Sequence, residues 1–491
     1  MRKKTSLARL LAFAALTATA SLWVGNELIE WLERRGTIDT QIQGEQVQSV
    51  DEAVFETKGP WYQTSTYGEG SLTSSRFARD KGERWRMFVL GGSFAMGTPY
   101  VNGEVPQSGS EGGISSWIQA DLGARFPGQI EIVNAAAGGQ DSRRVLEIGA
   151  EVMRLDPDVL LIAMGNNEGN LGEDQVRQQL RKLGGYRLLR KILLGSAQTP
   201  GSWFTPQDVD SEQLRLGFER RLRKFLERAA LAQVPVLLAA MPINLGYLGF
   251  EPGKLLQGQD WPPLGGDCEV GIRTFEAQRF TESIEALRSC KAGPSSQQPP
   301  PLGSYLALAK LESGAGLNKQ DQLALRDSHG DCVSKGIESY YSGFYQRSIE
   351  ELQRCDEVAH ALSWIGRARR KAGDLEGARN ALQQACELLP HNRTRPSLNQ
   401  IVRKLSDELD HVHLVDLEAA ANRLAAELGD GIPDSEQFLD YCHMNWRGYA
   451  AMADEVLLRL KQLGVGPPGK ELGLPPSQEQ LRELFKLPAL Q

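Results

Sequence analysis

Between residues 85 and 245 the chain alternates short apolar runs with amphipathic stretches, and no other feature narrows the possible folds as far. The runs RMFVLGG, IEIVNAAAGG, DVLLIAMGNN and VPVLLAAMPIN are apolar cores that stop at Gly, Pro or Asn, as buried strands do. Between them ISSWIQADLGARF, SRRVLEIGAEVMRL and EQLRLGFERRLRKFLERAALAQ carry helical spacing. Strand and helix in alternation predict an α/β fold, a parallel sheet with helices on both faces. A fifth strand, HVHLVDLE, comes only at residues 411 to 418, ahead of a helix containing YAAMADEVLLRL. A long insertion therefore interrupts the sheet.

The insertion opens with the loop-rich GYLGFEPGKLLQGQDWPPLGGDC, passes through AGPSSQQPPPLG and is otherwise helical. It repeats itself. GIRTFEAQRFTESIEALRSC (271 to 290) and GIESYYSGFYQRSIEELQRC (336 to 355) share Gly, Ile, Ser, Ile, Glu, Leu and Cys in register, with Gly-Asp-Cys upstream in both. Their offset of 65 residues is close to twice the roughly 34-residue period of tetratricopeptide repeats. ALSWIGRARRKAGDLEGARNALQQACELLP resembles such a repeat, with Gly366, Ala378, Leu382, Ala385 and Pro390 at its small, apolar and breaker positions and Gly373-Asp374 at its turn. Small residues there let two antiparallel helices approach, and the proline ends the unit. An ordinary helical hairpin insertion is the plainer alternative.

Five of the six cysteines, Cys268, Cys290, Cys332, Cys355 and Cys386, fall in this insertion, and Cys442 stands beside His443. None forms C-x-x-C, so zinc-finger and thioredoxin-like readings lack support. In the repeat register Cys268 with Cys290, and Cys332 with Cys355, join the start of one helix to the end of its partner. Two disulfides are expected, the alternative being buried thiols.

The N-terminus runs from Arg2, Lys3 and Lys4 into an apolar stretch from Leu10 to Val24. That order marks an export signal. Ala18-Thr19-Ala20 has the form of a cleavage site, but the apolar run is only slightly short of a membrane span. An uncleaved anchor is expected over 1–25, placing the rest on the periplasmic or extracellular side, where disulfides form. A stalk and loop lead-in (26–84), an α/β domain in two parts (85–250 and 391–465), the insertion (251–390) and a tail (466–491) complete the expected organisation. With 62 acidic against 55 basic residues intermixed, the net charge is -7. No basic stripe fits nucleic acid.

Chemistry points to the C-terminal edge of the sheet. VLGGSFAMGTPY, after the first strand, has the glycine spacing of a phosphate loop at Gly92, Gly97 and Thr98 but lacks the lysine, and Ala95 spoils a G-x-S-x-G elbow. Ser93 remains, in a tight turn where parallel sheets bind ligands. VNAAAGGQDS and AMGNNEGN bring glycines and carboxamides to the same edge. Gly139 offers an open backbone N–H, Asn167 a side-chain N–H, and Ser93 its own amide. After the fifth strand, FLDYCHMNW supplies Asp440 three residues before His443, a base with its orienting carboxylate. Each feature alone also has a bland reading: a turn serine, a capping asparagine, a helix-capping aspartate. His411 and His413, alternating on a strand, suit packing or surface roles.

Together these blocks resemble the SGNH, or GDSL-like, hydrolase family: GGSFAMG its serine block, NAAAGGQDS its glycine block, GNNE its third block and DYCHMN its D-x-x-H block. The resemblance covers about residues 85 to 250 and 391 to 465. It implies a flavodoxin-like three-layer α/β/α sandwich. It also implies Ser93 as nucleophile, His443 as general base and acid, Asp440 as its orienter, and the Ser93 amide, Gly139 and Asn167 as the oxyanion hole. Gly92 and Glu168 depart from the family pattern at positions outside the triad, and Asn166 rivals Asn167. RTRPSLNQIVRKL followed by VHLVDLEAA resembles the subgroup with an inserted tetratricopeptide array. The expected function is cofactor-independent ester hydrolysis through an acyl-enzyme, with an acylated small molecule or carbohydrate as substrate and O-acetyl groups on an envelope carbohydrate as one candidate. An O-acyltransferase of the same fold and an inactive scaffold that binds proteins through its repeats are the alternatives. The insertion is expected to dock a protein, a peptide or the substrate chain.

Overall fold

The computed structural model describes residues 53–65, 75–100, 113–169, 211–247, 267–290, 300–389 and 393–467, apart from 277 and 357, with short stretches between 25 and 37 and between 183 and 189. The expected anchor, but for residue 25, and the tail beyond 467 lie outside them. Among the described residues no helix is long and apolar enough to cross a membrane. The chain divides into two compact units. In the smaller, residues 1–51 with 172–204, the Gly185 N–H donates to Asn26 Oδ1 at 3.2 Å. The larger, residues 52–171 with 205–491, contains everything that follows.

Reading 26–84 as stalk and loop misses three short strands, β1 (Phe55–Lys58), β2 (Trp61–Thr64) and β3 (Arg76–Ala78), which form a small antiparallel sheet. Each is too short to show a period of two. What holds them is tertiary: Phe55 and Phe77 pack edge-on against Phe88 of the main sheet, and Glu151 accepts the N–H groups of Val54 and Phe55, both at 2.9 Å.

The main sheet comprises β4 (Trp85–Gly91), β5 (Ile130–Asn134), β6 (Val159–Ala163), β7 (Val236–Ala240) and β8 (Val412–Asp416). All pair in parallel, in the order β5-β4-β6-β7-β8. Alternate residues feed two cores. Met87 and Val89 of β4, Leu161 of β6 and Leu237 of β7 face a layer made by α2 (Ile114–Arg125), α13 (Leu417–Leu428) and α14 (Trp446–Leu463). Phe88, Leu90, Leu160 and Leu238 face α3 (Ser142–Val152), α4 (Ser211–Leu231) and α12 (Pro396–Glu408). Burial on both faces explains why these strands read as unbroken apolar runs. Because the first strand, β4, lies between the second and third, the chain reverses direction across the sheet at the C-terminal end of β4. That crevice is where open α/β sheets bind ligands. The one-turn helix α1 (Ser93–Met96) starts there.

Among its described residues the insertion carries α5 (Asp267–Glu276), α6 (Phe280–Ser289), α7 (Pro300–Glu312), α8 (Lys319–Tyr341), α9 (Tyr345–Leu352), α10 (Val358–Lys371) and α11 (Leu375–Leu388). One device recurs in three of its hairpins. A Cβ on Gly271 would lie 2.6 Å from Leu287 Cγ; on Gly336, 2.4 Å from Leu352 Cγ; on Gly366, 2.5 Å from Leu382 Cγ. Each leucine follows its glycine by sixteen positions, so the glycine is the gap that the leucine fills. Ser283 and Ser348 donate to the carbonyls of Gly271 and Gly336 at 2.8 and 2.7 Å, locking the first two hairpins in the same way. Disulfides join Cys268 to Cys290 and Cys332 to Cys355. Cys386 and Cys442 are free and buried.

The last hairpin is not an appendage. Ala378, Leu382 and Cys386 of α11 form a core with Ile243 and Leu245, which follow β7, and with Ile432, which precedes Asp440. Arg370 of α10 binds Asp430 at 2.5 Å and Asp434 at 2.7 Å. The insertion therefore braces loops at the C-terminal edge of the sheet.

Candidate active site

β4 delivers Ser93 to this edge through two glycines that permit no side chain. A Cβ on Gly91 would lie 2.0 Å from the Ala163 carbonyl of β6, and one on Gly92 would lie 2.7 Å from Asn167 Nδ2. The glycine doublet thus lets the serine turn sit directly beside the Asn167 amide.

His443 Nε2 lies 2.7 Å from Ser93 Oγ, 350 residues away in sequence, and His443 Nδ1 lies 2.6 Å from Asp440 Oδ2. The two readings of D-x-x-H divide between the two carboxylate oxygens. Oδ1 accepts the backbone N–H groups of Cys442 at 2.9 Å and His443 at 2.7 Å, fixing the turn, while Oδ2 orients the imidazole. Asp440 is not a helix cap. Asn445 caps α14, accepting the Gly448 N–H at 3.0 Å.

Burial would raise the Asp440 carboxyl, but the charge of His443 and its hydrogen bonds hold it below the ordinary range. Burial opposes a charged imidazole at His443, yet the Cys442 sulfur and the Asp440 carboxylate outweigh it and raise His443 well above its ordinary value. Since burial also pushes the Cys442 thiol up and keeps it neutral at physiological pH, Asp440 is the lasting cause. Asp440, Cys442 and His443 offer three potential metal-ligand atoms within 4.8 Å of one another. The Asp440–His443 bond engages the carboxylate and the imidazole with each other.

Asn167, buried, donates Nδ2 to the Gln140 carbonyl at 3.1 Å, which leaves its second amide hydrogen for a ligand. Gly139, at φ 70°, stands between two anchors, the Ala137 N–H on the Gly91 carbonyl at 2.9 Å and that Gln140 bond. Asn166 points elsewhere: its Oδ1 accepts the Thr394 hydroxyl at 2.6 Å. Glu168 accepts the Ser142 N–H at the start of α3 and the Arg221 guanidinium at 3.1 Å. Burial, reinforced by the charge of Asp141 and opposed by Arg221, raises it to about 7. Its place is behind the Gly139–Ser142 loop. His411 Nε2 meets the Leu226 carbonyl at 2.8 Å, away from this cluster.

Three residues at this edge escaped the sequence reading. Asn244 donates Nδ2 to the Asp440 carbonyl at 2.7 Å, and Arg393 and Thr394 reach Asn244 and Asn166. Asn244 had one visible signal, a carboxamide ending the fourth strand as in the second and third. Arg393 and Thr394 open RTRPSLNQIVRKL, the stretch that resembles the repeat-bearing subgroup, but nothing in it marks them for this edge.

No protein-family model matches the chain, and no curated protein does. Among solved structures it is similar to an acetyl xylan esterase, AlAXEase, at 14% identity and TM-score 0.30, covering 76% of this chain and 97% of that one. It is likewise similar to LAE5, an alpha/beta hydrolase enzyme from the metagenome of Lake Arreo, Spain, at 12% identity and TM-score 0.29, covering 76% and 94%.

Proposed function

We propose that the chain is a serine esterase of SGNH type, with a tetratricopeptide-like insertion, exported and held at the membrane by its N-terminal segment. The observation that carries this reading is the continuous path Ser93 Oγ, His443, Asp440 at 2.7 and 2.6 Å, beside the Asn167 amide. His443 Nε2 takes the Ser93 proton as Oγ attacks the ester carbonyl carbon. The new oxyanion accepts hydrogen bonds from the Ser93 and Gly139 amides and from Asn167 Nδ2. Collapse expels the alcohol, protonated by His443, and leaves an acyl-serine that water, activated by the same imidazole, cleaves. The half-buried Tyr441, its ring centroid 5.6 Å from that of His443, offers an aromatic wall against which a sugar or aryl leaving group packs. O-acetylated envelope carbohydrate is the proposed substrate class.

The test is turnover of an aryl acetate and of an O-acetylated oligosaccharide by wild type and Ser93→Ala. Released acetate that disappears in the variant supports hydrolysis. Acetate appearing on a sugar hydroxyl would make the enzyme a transferase, and no turnover of either substrate would end the reading.

A further inference from the structure

The dipeptide Arg393-Thr394 stands where the helical insertion returns to the sheet, between α11 and α12, and both residues are buried. Its two side chains diverge to the two halves of the candidate machinery. Thr394 Oγ1 donates to Asn166 Oδ1 at 2.6 Å, and a Cβ on Gly165 would lie 3.0 Å from that hydroxyl oxygen. The turn so gripped, Gly165-Asn166-Asn167, carries the oxyanion donor. Arg393 Nη1 donates to the Asn244 carbonyl at 2.8 Å, and the Asn244 side chain holds the Asp440 carbonyl at 2.7 Å. The Arg393 guanidinium also lies over the Tyr247 ring, Tyr247 meets Tyr441 edge-on, and Tyr441 packs beside His443. One residue thus reaches the oxyanion side and its neighbour the acid–base side.

The dipeptide is equally fastened to the insertion. Arg393 Nη2 donates to the Leu389 carbonyl at 3.1 Å and the Cys386 thiol meets the Thr394 carbonyl at 3.6 Å. Just beyond, Ser397 binds Glu387 of α11 through its N–H at 2.9 Å and its hydroxyl at 2.6 Å.

We propose that Arg393 and Thr394 are positioning residues, a joint through which the last helical hairpin of the insertion fixes Asn167 relative to the Asp440–His443 turn. The inference rests on the esterase reading and adds to it that the helical array and the reaction are coupled. Thr394 touches no substrate. Its loss displaces a donor used in the transition state, so turnover falls while substrate binding does not.

The experiment measures kcat and KM of the full chain on an aryl acetate for wild type, Thr394→Val, Thr394→Ser and Arg393→Lys, with far-UV circular dichroism to establish folding. Thr394→Val keeps the shape and removes the hydroxyl, and its kcat is expected to fall about 10- to 100-fold with KM within about twofold, the scale of small misplacements in an active site. Thr394→Ser restores the hydroxyl and the rate. Arg393→Lys, which cannot hold Asn244 and Leu389 together, lowers kcat likewise and decides the matter alone if Thr394→Val does not fold. A folded Thr394→Val with wild-type kcat, or a loss that Ser does not rescue, overturns the inference and leaves the esterase reading intact. A wild type no more active than Ser93→Ala overturns both.

Discussion

In the proposed mechanism Asn167 is one donor to the developing oxyanion, so Asn167→Ala is expected to lower kcat about 100- to 1000-fold with little change in KM. Steady-state kinetics check it, and an equal rise in KM would mean that Asn167 binds substrate instead. Ser93→Ala, His443→Ala and the double variant should all reach the same residual rate, because serine and base act as one unit. The base works only when neutral. As the Asp440 carboxylate favours the charged imidazole and His443 lies above its ordinary value, kcat/KM should climb with pH to a midpoint above about 6.5, and Asp440→Asn should lower that midpoint. Glu168 carries a stability signature instead. Its carboxyl titrates at about 7 in the fold and near 4.3 when unfolded, so between these values the folded state binds more protons and this group's contribution declines as pH rises. Urea unfolding of wild type and Glu168→Gln should therefore diverge across that window and run parallel above it. Parallel curves throughout would place Glu168 outside any such linkage.

At the scale of elements, the hairpin lock is open to a direct test. Gly336→Ala drives a methyl into Leu352 and should cost about 1 to 3 kcal/mol by overpacking. Gly316→Ala, with nothing within 4 Å, should be near neutral. Thermal melts compare the two, and equal melting temperatures would mean that the close approach relaxes freely. The paired replacement Cys332→Ala with Cys355→Ala opens a loop across a sequence separation of 23 and should cost roughly 3 kcal/mol. Unchanged urea stability would show that this bridge contributes nothing. Elements were legible where burial imposed a pattern. The strands β4, β6 and β7, covered on both faces, announced themselves as apolar runs. The strands β1 to β3 did not, because they owe their form to Phe55, Phe77 and Glu151 contacts rather than to any local period.

Across the whole molecule, the edge that gathers Ser93, Asn167, Asp440 and His443 could be inferred because each stands just after a strand or the helix that follows one, and parallel strands end on a common edge. The joint at Arg393-Thr394 could not. It lies more than two hundred residues from Asn166 in sequence, and nothing in RTRP distinguishes a buried clamp from a surface turn. The same holds for the Arg370 bridges to Asp430 and Asp434 and for the core shared by α11 and the loop after β7. Long-range side-chain contacts leave no local signal, so nothing in the sequence of an insertion expected to dock a partner or the substrate chain shows that its last hairpin packs against the loops beside the candidate site. The central claim is that Ser93 is a nucleophile activated by His443. Reaction with a fluorophosphonate, followed by peptide mass spectrometry, tests it most directly. One adduct on Ser93, absent in Ser93→Ala and formed far more slowly in His443→Ala, is the predicted result; a folded wild type that takes up no label, or takes it up on another residue, would contradict the account.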